Sequence, residues 1–282
     1  MKKLFAFQSY NLFVFAVFVL LSSTLTAQTV SSKDVKAKKQ PFVVGEVLSY
    51  EGKWSRIILP GISVAEMTFR VENDTSNAKD KTDKIQFTAD AYSKGSLVKL
   101  VGINVSQKIN STVDVNDFSA LQTVRHDVQG KRIRDGKAVF DYLGRTVAYH
   151  ETDPNDLNRP ARMIASPLES SVQDILSAFY FIRLQPLAVG DSFEVPVSDS
   201  GVVFQIPVRV TAREKQKTIL GNIWTLKVEP EIFGDKRLVA GNGKMTIWFT
   251  DDARHIPVRS QIEAKIGKVE VKLRRAEGLS KI

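Results

Sequence analysis

The chain has no cysteine. No disulfide can brace the fold, and no lipidated cysteine can tether a processed N-terminus. Histidine is nearly as scarce: His126, His150 and His255 are scattered, without the helical His-x-x-x-His spacing or cysteine pairs that mark a zinc site. No Gly-x-Ser-x-Gly elbow occurs, so a serine nucleophile would depend on a base placed by the fold alone. After the first two dozen residues no apolar run approaches the ~20 residues that a bilayer span demands.

At the N-terminus Lys2 and Lys3 precede an uncharged apolar run from Leu12 to Leu21, and small residues follow up to Ala27. This is the pattern of a secretory signal peptide over residues 1–27, cleaved after Ala27 with Leu25 at the third-from-last position. The apolar run is too short for a membrane anchor. Residues 28–40 are poor in apolar side chains and carry Lys33, Lys36, Lys38 and Lys39 against Asp34. They read as a disordered basic linker whose membrane contact is at most peripheral attraction to anionic headgroups. The formal charge of +9 is therefore concentrated in segments outside the folded part. Residues 41–282, read as one β-rich domain, keep only a small positive excess without aromatic-basic interleaving, which argues against nucleic-acid binding.

From Val44 onward the dominant period is two. Ala65, Met67, Phe69 and Val71 share one face, as do Val202, Phe204, Ile206, Val208 and Val210, then Trp224, Leu226 and Val228, then Met245, Ile247 and Phe249. Turn residues separate these runs at Asp199-Ser200-Gly201, Gly221-Asn222, Gly241-Asn242-Gly243 and Ile266-Gly267-Lys268. Further strands are expected at 44–54, 85–93, 97–111, 120–129, 132–141, 146–149, 256–265 and 269–275. Pro207 predicts an edge strand or a bulge, and the basic last strand a charged edge. The fold class is thus mainly β: a curved antiparallel sheet or partly open β-barrel of about a dozen strands wrapping one α-helix. That helix follows a long loop over Asp153–Pro167. Ser170 and Ser171 ahead of Gln173 and Asp174 resemble a capping box, Val172, Ile175, Leu176, Phe179 and Ile182 recur at helical spacing, and Pro186 ends the run.

Three groups of residues have a familiar order: Pro41-Phe42-x-x-Gly45-Glu46-x-Leu48-x-Tyr50 with Trp54; Asp174-x-x-Ser177-Ala178-x-Tyr180-x-x-Arg183 followed by Gly190-Asp191; and Ile247-Trp248-Phe249-Thr250-Asp251-Asp252-x-Arg254-x-Ile256-Pro257-Val258. Together they resemble the bacterial family called domain of unknown function 3108, from Pro41 to about Gly278. The resemblance implies an exported protein of Gram-negative bacteria with a partly closed fold like that of YmcC-like lipoproteins, and it brings no reaction. The missing cysteine departs from the lipoprotein relatives and removes the expected anchor.

Asp251 and Asp252, meeting Glu229 or Glu231 from a neighbouring strand, and Asp174 on the helix are the candidates for paired-carboxylate hydrolysis of an envelope polysaccharide. The alternative for Asp251 is turn chemistry, with backbone N–H groups on Asp251 and a carboxylate on Arg254. On the helix, Asp174 and Arg183 suit the two ends of the dipole, and the Tyr180 hydroxyl is expected to find a partner on the sheet. The favoured reading is non-enzymatic: a periplasmic protein that binds or presents a lipid or glycan of the cell envelope, with Tyr50, Trp54, Tyr180, Arg183 and Trp248 on the cavity wall. Docking on another envelope protein through a strand edge is a third possibility. No metal or cofactor is predicted.

Overall fold

The computed structural model describes residues 40–56, 59–73, 84–95, 105–265 and 267–281. The signal segment, the linker before Gln40 and the start of the strand expected at 97–111 lie outside the described residues. The strands are β1 (Val47–Arg56), β2 (Leu59–Asn73), β3 (Lys84–Ser93), β4 (Val105–Asp114), β5 (Ala120–Gln129), β6 (Arg132–Asp141), β7 (Thr146–Thr152), β8 (Arg162–Pro167), β9 (Gln173–Asp174), β10 (Ser192–Asp199), β11 (Val202–Thr218), β12 (Gly221–Pro230), β13 (Gly243–Thr250), β14 (Pro257–Ala264) and β15 (Gly267–Glu277). One helix, α1 (Ile175–Leu184), follows β9.

All these strands form a single 15-stranded sheet in the order β8-β7-β6-β5-β4-β3-β2-β1-β15-β14-β13-β12-β11-β10-β9. Sequence neighbours pair along the chain except at β8–β9, and β1 zips antiparallel to β15. The sheet curves so far round that Gly201, in the β10–β11 turn, abuts Ile164 on β8. The resulting ring of strands is open between β8 and β9, and only the short β9–β10 pair is parallel. β15 therefore lies inside the sheet. Its charges work as cross-strand pairs, such as Arg274–Glu51 at 2.7 Å and Arg259–Glu270 at 2.5 Å, and do not guard an edge.

Three strands were not expected: β8 within the supposed loop, the two-residue β9, and β10. Pro207 is also interior, opposite Glu194 on β10. Its carbonyl accepts the Glu231 N–H at 2.8 Å where the β11–β12 ladder ends at Val208–Pro230. A residue without an N–H costs the ladder nothing at that point.

The helix begins later than expected. Asp174 is its N-cap: its carboxylate accepts the Leu176 and Ser177 N–H groups, each at 2.8 Å, and the Ser177 hydroxyl accepts the Asp174 N–H at 2.9 Å. Ser170 and Ser171 are not part of this capping box, because Gln173 and Asp174 are extended against β10. The helix is also not amphipathic in the one-sided sense. Ile175, Ala178, Phe179 and Ile182 pack against β10–β13, and Leu176, Tyr180 and Leu184 pack against β2–β4 with Phe42 and Phe118. A helix apolar all round belongs in an interior, and this one divides the inside of the ring into two cores. Phe249 is fully buried beside it, whereas Leu143 in the β6–β7 turn is 99% exposed. Phe249→Ala should therefore lower unfolding free energy by about 3–5 kcal/mol in urea titrations, and Leu143→Ser should change it by less than about 0.5 kcal/mol.

Candidate functional site

On the β10–β15 side of the helix the packing is incomplete. β1, β2 and β10–β15 curve around a cavity of about 180 Å³ whose walls are almost wholly apolar. Val64, Val195, Val208, Ile247 and Val271 supply the branched side chains of the strands. Space is left because small residues converge on the same volume: Gly52 on β1, Ala65 on β2 and Ala178 on the helix. A Cβ at Gly52 would touch Ala65 Cβ at 3.4 Å, so β1 and β2 meet here without a large side chain between them. A bulge in the β1–β2 register beside Gly52 turns both Val64 and Ala65 inward.

The polar end of the cavity is built by Tyr50, Tyr180 and Arg183. Arg183 extends from the last turn of the helix into a site where its side chain and that of Glu46 are each 1% exposed. Its Nη1 and Nη2 donate to the two Glu46 carboxylate oxygens at 2.5 and 2.9 Å, Nη2 to the Pro41 carbonyl at 3.1 Å, and Nε to the Arg254 carbonyl at 3.1 Å. His255 Nδ1 lies 2.9 Å from the Arg183 carbonyl. Arg183 thus does more than face the negative end of a helix dipole. Burial pulls its pKa down, but the Glu46 carboxylate outweighs this and leaves it above its ordinary value. The Tyr50 hydroxyl donates to the Pro257 carbonyl at 2.9 Å. Tyr180 stacks on Phe87 with centroids 3.9 Å apart and meets Phe42 edge-on at 5.2 Å. Contrary to expectation its hydroxyl has no hydrogen-bond partner among the described residues.

Of the five expected wall residues, Tyr50, Tyr180 and Arg183 line the cavity and two do not. Trp54, paired with the wall residue Val269, is half-buried and packs on Val64 and Ala65 without lining the cavity. Trp248 belongs to the cluster of Leu48, Tyr50, Ile256, Val258 and Leu273 but does not itself line the cavity. Its indole N–H donates to Glu214 at 3.2 Å, and the Arg259 guanidinium lies 4.4 Å from its ring centroid.

The carboxylates of the hydrolase reading are dispersed and occupied. Asp251 pairs with Arg213 at 2.5 Å. Asp252 accepts the Thr250 hydroxyl at 2.8 Å and the Arg254 N–H at 3.0 Å on one oxygen, and the Arg254 guanidinium at 2.6 Å on the other. The turn chemistry expected of Asp251 is therefore performed by Asp252. Burial pushes the Asp252 carboxyl up, but the Arg254 and Thr250 hydrogen bonds bring it below its ordinary value. Glu229 is held by Lys244 at 2.9 Å and Glu231 by Arg209 at 2.6 Å. Thr225 pairs with Thr250, so Glu229 lies four residues along β12, about 13 Å away, beyond the spacing of a glycosidase pair. Besides capping the helix, Asp174 accepts the Thr123 hydroxyl at 2.6 Å. His126 contacts Asp135 at 2.5 Å on exposed strands, and His150 projects outward from β7. Among the described residues no three potential metal ligands converge.

A second polar cluster, not foreseen, joins β5–β7 to the β10–β11 turn. Arg125 lies 2.8 Å from Asp127 and 3.3 Å from Asp199, and donates to the Tyr149 and Ser200 hydroxyls at 3.0 and 3.2 Å. Tyr149 donates to Glu151 at 2.8 Å. Burial, with added repulsion from Asp127, pushes the Asp199 carboxyl from an ordinary value of 3.8 to about 7, against the pull of Arg125. Turn residues such as Asp199-Ser200-Gly201 carry no sequence mark of this role.

The fold is a curved, unclosed ring of strands with a buried helix and an apolar interior space. This chain belongs to the family described as protein of unknown function DUF3108, which matches residues 49–274. It is similar in structure to a β-barrel-like protein of domain of unknown function DUF1849 from Brucella abortus. That match has a TM-score of 0.57 at 8% identity and covers 84% of this chain and 98% of the other. Lower similarity is found to a protein from Bacteroides fragilis described as exported with a YmcC-like fold, with TM-score 0.35, 11% identity and coverage of 84% and 98%. A Parabacteroides distasonis protein described as a lipoprotein matches with TM-score 0.30, 10% identity and coverage of 84% and 97%. Comparison with curated proteins yields no match. Among the described residues no helix is long and apolar enough to cross a membrane.

Two predictions follow from the polar clusters. Arg183→Ala leaves the Glu46 carboxylate buried without its partner and should cost about 3–5 kcal/mol of unfolding free energy, measured by chemical denaturation. The raised Asp199 carboxyl makes the folded state hold a proton more tightly than the unfolded chain, so its contribution to stability declines as pH rises from about 4 to about 7. Thermal unfolding at stepped pH should show that decline in the parent protein and a shallower one in Asp199→Asn; parallel curves would contradict it.

Proposed function

We propose that this protein is exported to the cell envelope and holds the alkyl portion of an envelope lipid in the cavity beside the helix. The observation that carries the reading is the apolar space of about 180 Å³ inside the ring. A dry cavity of about 150 Å³ suffices for a small hydrocarbon, and a well-formed apolar pocket with a few convergent polar groups is the usual form of a ligand site. The wall composition favours an alkyl chain over a glycan, whose hydroxyls would be desolvated against valine and isoleucine. Export is supported by the Lys2-Lys3, Leu12–Leu21 and Ala27 pattern at the N-terminus.

A hydrolase has less support, since Asp174, Asp251 and Asp252 are each engaged in a cap, a turn or an ion pair. Docking through a strand edge is also weaker, because β8 is approached by the β10–β11 turn.

The test is titration with the neutral fluorophore N-phenyl-1-naphthylamine, alongside mass spectrometry of lipid extracted from protein purified out of its native envelope. Saturable binding at one site is expected. Gly52→Val, which adds an isopropyl group inside the cavity, should weaken it at least tenfold while leaving the fold intact by circular dichroism. Absence of both dye binding and co-purified lipid would overturn the reading.

A further inference from the structure

We propose that the Tyr180 hydroxyl is the polar contact for the cavity's ligand, and that the ligand class is an uncharged lipid bearing an acceptor oxygen, such as an ester carbonyl, and not a fatty-acid anion. This inference rests on the lipid reading above.

Tyr180 is 3% exposed and lies on the cavity wall, yet its hydroxyl has no partner among the described residues. A buried hydroxyl left unpaired is costly, and such groups in native interiors ordinarily meet an acceptor. The ring cannot readily swing elsewhere, because it is stacked on Phe87 and abutted by Phe42. Burial drives the phenol well above its ordinary pKa, against the smaller opposing pull of Arg183, so the group remains a hydrogen-bond donor.

The rest of the polar end is already committed. The Tyr50 hydroxyl serves the Pro257 carbonyl, and the Arg183 guanidinium serves Glu46, Pro41 and Arg254. Glu46 cancels the charge of Arg183. A ligand carboxylate would be desolvated there with no unpaired cation on the wall among the described residues, since Arg183 is held by Glu46 and Arg259 by Glu270 at 2.5 Å, and with the Glu46 carboxylate nearby. A neutral carbonyl faces neither cost and needs only one donor.

The test uses the processed chain and displacement of N-phenyl-1-naphthylamine by methyl octanoate and by octanoate at neutral pH. The ester should displace the dye at concentrations at least tenfold below the anion. Tyr180→Phe keeps the ring and should weaken the ester about tenfold, the worth of one neutral hydrogen bond, while dye affinity stays unchanged. Tyr50→Phe should leave the ester's affinity as it is. Independently of any variant, the infrared carbonyl band of ¹³C-labelled methyl octanoate should move to lower frequency on binding the parent protein. Equal ester affinity in Tyr180→Phe, an unshifted carbonyl band or preference for octanoate would overturn the assignment while leaving the cavity as a lipid site. Absence of both dye binding and co-purified lipid would remove the lipid reading and this inference together.

Discussion

The arrangement of the whole molecule depends on one buried ion pair. Glu46 precedes β1, and Arg183 ends the central helix. With Pro41 and the Arg254 carbonyl they tie the entry of the chain, the exit of the helix and the β13–β14 turn to a single point. In net stability a buried pair is seldom better than well-packed apolar side chains, because desolvation offsets the attraction. What it supplies is intolerance of alternatives: a helix apolar on every side could slide or rotate inside the ring with little change in buried area. Any such movement strands two charges in an apolar interior, so the pair sets the helix's depth and rotation where hydrophobic contact alone would not.

The Arg125 cluster does related work at the opening of the ring. β8 and β9 do not pair, and an unclosed sheet of this length needs some other link across the gap. Asp199 and Ser200 reach from the β10–β11 turn to Arg125 on β5. The Val172 carbonyl accepts the Ala120 N–H at 2.9 Å, and Tyr142 donates to the Ala120 carbonyl at the same distance. These are polar fastenings, softer than a strand ladder. One of them contains a carboxyl that burial raises to about 7, so the strength of this seam depends on pH.

Much of this was legible in the sequence because alternation is a local property. Val202 to Val210, Trp224 to Val228 and Met245 to Phe249 declare their faces without reference to their partners. The strands that escaped notice have no such pattern: β8 exposes both faces in part, β9 is two residues long, and β10 carries Pro196 in its middle. They are strands only because a neighbour supplies the ladder. The helix start was ambiguous for a similar reason. Ser170, Ser171 and Asp174 are all competent caps, and the pairing of Gln173 and Asp174 with β10 decides among them. Trp248 is legible the other way: the strand period sets it on the face of β13 opposite Met245, Ile247 and Phe249, away from the cavity wall. The Glu46–Arg183 pair is separated by 137 positions. Each residue stood in a recognisable motif, but nothing local joined them.

The cavity follows from the size of the ring. A small barrel is filled by its own inward side chains, whereas a larger one leaves space that must be occupied or enclosed. Here one three-turn helix fills the interior, helped by Phe42 before β1 and Phe118 between β4 and β5. On its β2–β4 side Phe42, Phe87, Phe118 and Tyr180 close the space with rings in contact. On the other side the strands contribute many branched and small residues, among them Val195, Val208, Ile247, Val271, Gly52 and Ala65, and the longer Met67, Phe69, Phe179 and Met245 reach the cavity without filling it. An interior that could have been filled by exchanging Gly52, Ala65 and Ala178 for leucine instead keeps a void, and an unfilled apolar void is destabilising in proportion to its volume. That cost falls beside a buried tyrosine hydroxyl with no hydrogen-bond partner among the described residues.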